Sequence, residues 1–179
     1  MSVIARLCLA LLATTLFSGC AATIDRMDSD GEPVAQASEA ASRNIVMTMQ
    51  RDDDEQSEDD WGYFREEWNE AMTELAAEKN ARFTLIDTVT PEFEQPTLWL
   101  KTQVHAFRYI SPGKRFAFGV MTGNAYMDVE VEFIEMPAGR VLGARRYSTT
   151  SKSSEGVFSP VTAKQVQAAA RALWIDGIR

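Results

Sequence analysis

Apolar and polar side chains alternate from Ala125 to Phe133, and this period of two indicates a strand with one buried face and one wet face. The sequence MPAG follows at residues 136–139 and can turn the chain. Residues 140–149 then have the composition of a returning strand. We therefore predict a β-hairpin, which anchors the rest of the fold because its two strands must lie side by side in one sheet.

The expected register of this hairpin places charges opposite each other. Glu135 would face Arg140 and Glu130 would face Arg145, and each such cross-strand pair contributes about 0.2–1 kcal/mol. The two carboxylates Glu130 and Glu132 could also suggest glycosidase chemistry, which needs two flanking carboxylates at a set separation. On a sheet face opposite arginines we interpret them as surface ion-pairing groups.

Two helices are predicted. Residues 60–80 carry apolar side chains at spacings of three and four, so they form one stripe on a helix. We expect this stripe to cover the sheet, and a partner-binding aromatic surface is the alternative. The second helix begins at Ser159 as N-cap and Pro160 at the first helical position, and it ends at Gly177. The stripes consist of Trp61, Phe64, Trp68, Met72 and Leu75, and of Val161, Val166, Ala169, Ala170, Leu173 and Trp174.

Three more strands are predicted, at residues 45–50, 82–89 and 98–110. The order along the chain is then strand, helix, four strands, helix. This order predicts an α+β fold, a two-layer sandwich in which a mostly antiparallel five-stranded sheet has both helices packed on one face. The other face would be wet or covered by a partner.

Residues 1–19 have the features of a secretory signal peptide. One basic side chain, Arg6, precedes an apolar run at residues 7–17. That run has about half of the ~20 residues that a bilayer-spanning helix needs. The small residues Ser18 and Gly19 close the segment. A buried N-terminal helix is the alternative interpretation.

The segment ends in LFSGC, residues 16–20, which resembles the lipobox of bacterial lipoprotein precursors. In such precursors the cysteine thiol receives a diacylglycerol, the signal is removed and the new amino group is acylated. We therefore predict Cys20 as the lipidation site, with S-diacylglycerol and N-acyl groups. Each buried methylene adds about 0.8 kcal/mol, so two or three chains anchor firmly. Since Cys8 would leave with the signal, Cys20 would lack a disulfide partner and could not form a cysteine metal site.

Residues 20–43 are rich in Ala, Ser, Asp, Glu and Gln, and we predict that they form a flexible tether to a periplasmic domain at residues 44–179. Ala21 stands where retention in the inner membrane tends to require Asp, so we expect the outer membrane, facing the periplasm. A net charge of −8 without a basic block argues against nucleic-acid binding and against attraction to anionic lipids. The membrane is therefore expected as a partner only through the lipid anchor.

The side chains do not identify a reaction. His105 is the only histidine, and sequence spacing places neither a carboxylate nor a nucleophile beside it, so we interpret it as a surface residue. The acidic residues 51–60 lack the glycine and the spacing of a calcium loop. Gly113 and Lys114 lack the first glycine of a phosphate loop. We predict no catalytic residue, no metal site, no cofactor and no enzyme activity.

The segment from Tyr109 to Lys152 and the Ala-rich residues 163–175 resemble a family of uncharacterised bacterial lipoproteins, a domain of unknown function. The shared features are a Pro/Gly turn with a basic residue, a glycine-spaced segment, an alternating strand and a Gly-x-Val/Leu-Leu sequence. The chain has Glu135 and Ala138 where the family often has Asp and Thr. The matching residues are Pro112, Gly113, Arg115, Gly119, Gly123, 127–133 and 139–142, within a likeness that covers residues 44–176.

The resemblance implies a fold similar to the periplasmic domain of curli-secretion-channel (CsgG) lipoproteins and of lipoprotein activators of peptidoglycan synthases. Those proteins assemble or bind other proteins and do not catalyse reactions. We expect a lipid-anchored envelope lipoprotein whose domain binds another envelope protein or assembly. The alternative is an auxiliary lipoprotein of a transport system that binds lipid or an exported substrate. Only Cys20 is carried over as a functional residue.

Overall fold

The computed structural model describes residues 24–28, 33–52, 57–88, 91–109, 125–150 and 161–178. These ranges contain one sheet and three helices. The signal peptide, Cys20 and the predicted N-cap at Ser159 lie outside them. The elements are β1 (Ile24–Asp28), α1 (Glu39–Ser42), β2 (Asn44–Arg51), α2 (Glu58–Glu78), β3 (Arg82–Ile86), β4 (Thr97–Arg108), β5 (Tyr126–Met136), β6 (Arg140–Thr150) and α3 (Val161–Gly177).

The strands form a mixed sheet in the order β1-β6-β5-β4-β2-β3. The pairs β1–β6, β6–β5 and β5–β4 are antiparallel, and β4–β2 and β2–β3 are parallel. The α+β class is confirmed, and the sheet is mixed where a mostly antiparallel one was predicted. The prediction of five strands and two helices is corrected to six strands and three helices in the described residues. Because α2 carries the chain back along the sheet between β2 and β3, these two neighbours run in the same direction.

Part of the segment that we predicted to be a tether packs against the domain. Val34, Ala37 and Ala41 are buried. The Ala35 N–H donates to the Leu142 carbonyl at 2.9 Å, and the Ala37 N–H donates to the Gly177 carbonyl at 3.1 Å. Small alanines carry little hydrophobicity, which is why composition favoured a tether, but they allow close backbone approach. The domain thus extends to the N-terminal side of residue 44.

The core lies between α2, α3 and the sheet. Ser57 caps α2 by accepting the Asp60 N–H at 3.1 Å, and the acidic first turn suits the positive end of a helix. The predicted stripes are confirmed as core, except that Trp61 is partly buried and that the side chain of Val161 lies outside the described part of the structure. Their buried members are Phe64, Trp68, Met72, Leu75, Val166, Ala169, Ala170, Leu173 and Trp174.

A β-bulge in β6 changes the predicted hairpin register. Glu135 pairs with Arg140 as expected, and their side chains lie 2.5 Å apart. Phe133, however, pairs with Gly143 and Ile134 with Val141, so Leu142 is an extra residue. The predicted pairing of Glu130 with Arg145 is therefore wrong, because the inserted residue moves Arg146 opposite Glu130.

A second irregularity lies in β4, where Val104 pairs with Val129 and Ala106 pairs with Asp128. His105 is the extra residue. Simple alternation would place Phe107 on the same face as His105, but the bulge turns Phe107 into the core, where it is buried. Ala106 is exposed instead.

None of the helices in the described ranges is long and apolar enough to cross a bilayer.

Candidate functional site

Helices α2 and α3 cover one face of the sheet, and the opposite face carries polar side chains from its four central strands. We call this surface the open face. Its residues are at least partly exposed, except the buried Thr48, and several of them form hydrogen bonds or ion pairs with each other. The open face consists here of Thr48, Trp99, Lys101, Gln103, His105, Asp128, Glu130, Glu132 and Arg146, with Asp52 at the end of β2.

His105 lies between two carboxylates. Its Nδ1 is 2.5 Å from Asp52 Oδ2, and its Nε2 is 3.1 Å from Glu130 Oε2. Gln103 Nε2 donates to the other Asp52 oxygen at 2.5 Å. Sequence spacing did not identify these two carboxylates as neighbours of His105. Parallel pairing of β2 with β4 places Arg51 beside Val104, and this register brings Asp52 to His105.

The two carboxylates favour the charged imidazolium. The hydrogen bond to Asp52 is the main cause of the raised pKa of His105, Glu130 adds to it, and burial and the Arg146 charge oppose it. The same hydrogen bond lowers the pKa of Asp52. An imidazolium that donates from both nitrogens has no lone pair for a metal ion or for accepting a proton. This geometry fits an ordered ion-pair surface better than a general base.

Two further ion pairs flank this histidine. Arg146 donates to Asp128 from Nε at 2.7 Å and from Nη2 at 2.5 Å, a two-point contact that fixes both groups. Lys101 Nζ lies 3.2 Å from Glu132. The prediction that the carboxylates of β5 take part in surface ion pairs is confirmed for Glu132, although its partner is Lys101 on β4 and not an arginine on β6.

Metal ligation finds no support in the part of the chain that the structure describes. No group of three or more His, Cys, Asp or Glu side chains there could hold a metal ion.

A cleft of about 780 Å³ opens at the other end of the domain, between α1 and the C-terminal ends of α2 and α3. We call it the helix-end cleft. Sequence reasoning missed it, because its walls come from segments more than 30 residues apart that only the fold brings together. The lining is Glu39, Ser42, Arg43, Leu75, Glu78, Lys79, Asn80, Arg171, Trp174, Ile175 and Ile178.

A buried carboxylate fixes β1 and β6 to α3. Asp176 accepts from the Tyr147 hydroxyl at 3.0 Å, and its Oδ1 lies 2.9 Å from Arg145 Nη1 and 3.3 Å from Arg26 Nη1. Burial is the main cause of the raised pKa of Tyr147, and the Asp176 charge adds to it. None of these four side chains lines the helix-end cleft, and their contacts join β1, β6 and α3.

No family model and no curated protein matches the chain. The solved structures similar to it include a PelC dodecamer from Paraburkholderia phytofirmans, at 18% identity and a TM-score of 0.47, covering 83% of this chain and 95% of that one. Protein XCC0632 of family DUF330 from Xanthomonas campestris has 9% identity and a TM-score of 0.40, with 87% and 92% covered. A putative neuraminyllactose-binding hemagglutinin homolog from Helicobacter pylori has 7% identity and a TM-score of 0.40, with 79% and 89% covered. The neighbours thus include a protein from a family of unknown function, and values this low carry no argument about activity.

Proposed function

We propose that the chain is a lipid-anchored envelope lipoprotein, acylated at Cys20, whose domain faces the periplasm from the outer membrane and binds another envelope protein. The observation that carries the anchor is the sequence LFSGC at the end of an apolar run of signal-peptide length. Two or three acyl chains would hold the protein at the membrane without a spanning helix.

An anchor at Cys20 would determine which end of the sheet lies near the membrane. Ile24, the first residue of β1, follows Cys20 by four positions, so the two Cα atoms can be at most about 14 Å apart. An acylated Cys20 would hold the Ile24 end of the sheet close to the bilayer. The β5–β6 turn would lie farther away, because the eleven residues of β5 span roughly 35 Å.

The open face is the surface that we propose for the protein partner. Its charges are held by each other: His105 by Asp52 and Glu130, and Arg146 by Asp128. These charged side chains already hold each other in place, so a partner that binds them would lose little free energy in ordering them. Complementary charges contribute more to selectivity than to affinity. A non-catalytic role agrees with the engagement of both His105 nitrogens.

Labelling with radioactive palmitate tests the anchor. The native protein should incorporate the label and sediment with membranes, whereas Cys20→Ala should do neither. Label in the Cys20→Ala protein would overturn the assignment.

Photo-crosslinking in the source bacterium tests the partner. A photoreactive amino acid at position 101 on the open face should give a covalent adduct with another envelope protein. The same amino acid at position 73, exposed on α2, is the matched control. Equal adducts at both positions, or none at position 101, would contradict the choice of surface.

Complementation tests the non-catalytic role. A His105→Ala protein that still forms the adduct at position 101 should restore the wild-type phenotype of a deletion strain at neutral pH. Loss of function with normal abundance, normal membrane attachment and an unchanged adduct at position 101 would instead favour chemistry at this histidine.

The helix-end cleft favours a second candidate function, that of an auxiliary lipoprotein of a transport system that binds lipid or an exported substrate. Its volume of about 780 Å³ lies in the range of small-molecule sites. A deletion strain that distributes envelope lipids and exports its substrates normally would contradict this candidate.

A further inference from the structure

The helix-end cleft has an apolar floor. Leu75, Trp174 and Ile178 line it and are less than one-tenth exposed, so their surfaces are shared between the core and the cleft. Ile175 stands at the opening and is 45% exposed, which is unusual for a large apolar side chain in this domain. Little of the three floor surfaces remains in contact with water, so the apolar gain on binding would come mainly from Ile175 and from the apolar body of the ligand itself.

Cationic groups stand around this floor. Arg43, Lys79 and Arg171 line the cleft together with two carboxylates, so the local balance is positive on a chain of net charge −8. Arg43 is paired with Glu39 at 2.5 Å. Within the described ranges Lys79 and Arg171 form no ion pair. Two cations are thus available to an anion that enters the cleft.

We propose that the helix-end cleft binds a small amphipathic organic anion. The apolar body of the ligand would lie on Leu75, Trp174 and Ile178, and its carboxylate, sulfonate or phosphate group would lie between Lys79 and Arg171. Guanidinium and ammonium groups form stronger hydrogen bonds to oxyanions than to neutral acceptors, so they select the charged end. A cationic ligand would be repelled by the charges of Lys79 and Arg171.

This site is separate from the open face. The eight residues of β2 lie between Arg43 at the cleft and Asp52 beside His105, which are about 30 Å apart along the strand. The inference rests on the second candidate function in naming its ligand class. Binding itself requires neither acylation of Cys20 nor a protein partner, so the palmitate and crosslinking experiments can succeed or fail independently of it.

The experiment uses the 179-residue chain carrying Cys20→Ala, so that no acyl group of its own can occupy the cleft. The probes are 1-anilinonaphthalene-8-sulfonate, an aromatic anion whose fluorescence rises in apolar sites, and N-phenyl-1-naphthylamine, its uncharged counterpart. We expect saturable binding of the sulfonate and weaker binding of the amine. Arg171→Glu should weaken sulfonate binding by about tenfold or more, the usual effect of losing one charge-assisted hydrogen bond.

Lys164→Glu is the matched control for charge. Lys164 is exposed on the same helix and does not line the cleft, so its reversal changes net charge equally but should leave the dissociation constant nearly unchanged. Ile175→Gln should weaken binding of the sulfonate, whereas Val141→Gln, at another exposed apolar residue, should not.

Competition then tests whether both parts of the ligand matter. Decanoate should displace the sulfonate, and neither acetate nor decanol should do so at the same concentration. Near-ultraviolet circular dichroism and thermal unfolding verify that each variant is folded, and Lys79→Gln replaces Arg171→Glu if the latter does not fold. The proposal is overturned if the charge variants of the cleft bind like the Lys164→Glu control, or if decanol displaces the probe as well as decanoate.

Discussion

Nδ1 of His105 lies 2.5 Å from a carboxylate oxygen of Asp52, a residue 53 positions earlier in the chain. Asp52 follows β2 directly and lies on the segment that leads to α2. The contact therefore fixes the exit of β2 against β4 on the open face. Gln103 holds the other oxygen of Asp52, Glu130 holds the other nitrogen of His105, and Arg146 is the nearby positive charge.

Titration of His105 should report this contact. Because the chain has a single histidine, one imidazole resonance follows the group by NMR. The midpoint should lie above the ordinary value of about 6.5, since the hydrogen bond to Asp52 raises the pKa of His105. In Asp52→Asn the midpoint should fall. Glu132→Gln, which removes the partner of Lys101 instead, should change it little, and equal midpoints in all three proteins would contradict the assignment.

The same contact should make stability depend on pH. Folding raises the pKa of His105, so its contribution is complete below the unfolded value of about 6.5 and disappears as pH rises through the folded value. Folding lowers the pKa of Asp52, so its contribution is present above about 4 and disappears as pH falls through the lowered value. The difference in Tm between the native protein and His105→Gln should thus be largest near pH 5 and small near pH 9. A difference of the same size at both pH values would show that the ion pair does not contribute.

Removal of the buried Asp176 carboxylate should be costly. Asp176→Ala removes the carboxylate that lies 2.9 Å from the mostly buried Arg145, and loss of one member of a buried pair typically costs about 3–5 kcal/mol. Arg26→Ala removes a partner whose side chain is 42% exposed, so we expect about 1 kcal/mol or less. Urea denaturation measures both free energies of unfolding. Similar losses in the two variants would mean that Asp176 is hydrated and not part of the core.

Two glycines in helices should respond to alanine with opposite signs. A β-carbon on Gly177 would lie 2.4 Å from Cδ1 and Cε1 of the fully buried Phe133, so Gly177→Ala should destabilise by about 1–3 kcal/mol. A β-carbon on Gly62 in α2 would meet nothing within 4 Å, so Gly62→Ala should stabilise by about 0.5–1 kcal/mol. Thermal and urea unfolding of the two variants measure these changes. A stable Gly177→Ala protein would mean that the end of α3 can move away from the sheet.

Local sequence patterns predicted helices and strands that have a regular apolar spacing. An element held mainly by tertiary contacts could not be predicted in this way. The stripe containing Phe64 and Trp68 identified α2, because a period of 3.6 residues requires only local spacing. The strand β1 was missed because IDRMD has no apolar alternation and is held by backbone pairing to β6 and by the contact of Arg26 with Asp176.

The candidate site depended on pairing between distant strands. The contact of Asp52 with His105 follows from the parallel register of β2 and β4, and nothing in the local sequence specifies that register. A sequence pattern with a period of two does not reveal the bulges at His105 and Leu142 either. A single extra residue turns every later side chain of the strand to the opposite face of the sheet.

Because Leu142 is an extra residue in β6, the side chains on its two sides alternate between the faces of the sheet out of step with each other. Beyond it, the adjacent residues Arg145 and Arg146 point to opposite sides of the sheet, one to Asp176 under α3 and the other to Asp128 on the open face. The same inserted residue therefore determines both the buried contact of Arg145 with Asp176 and the contact of Arg146 with Asp128 on the open face. A deletion of one residue between the turn and Arg145 would move Arg146 into the place of Arg145 and turn Arg145 to the open face, opposite Glu132. The length of this short stretch is therefore as much a determinant of both surfaces as the identity of either arginine.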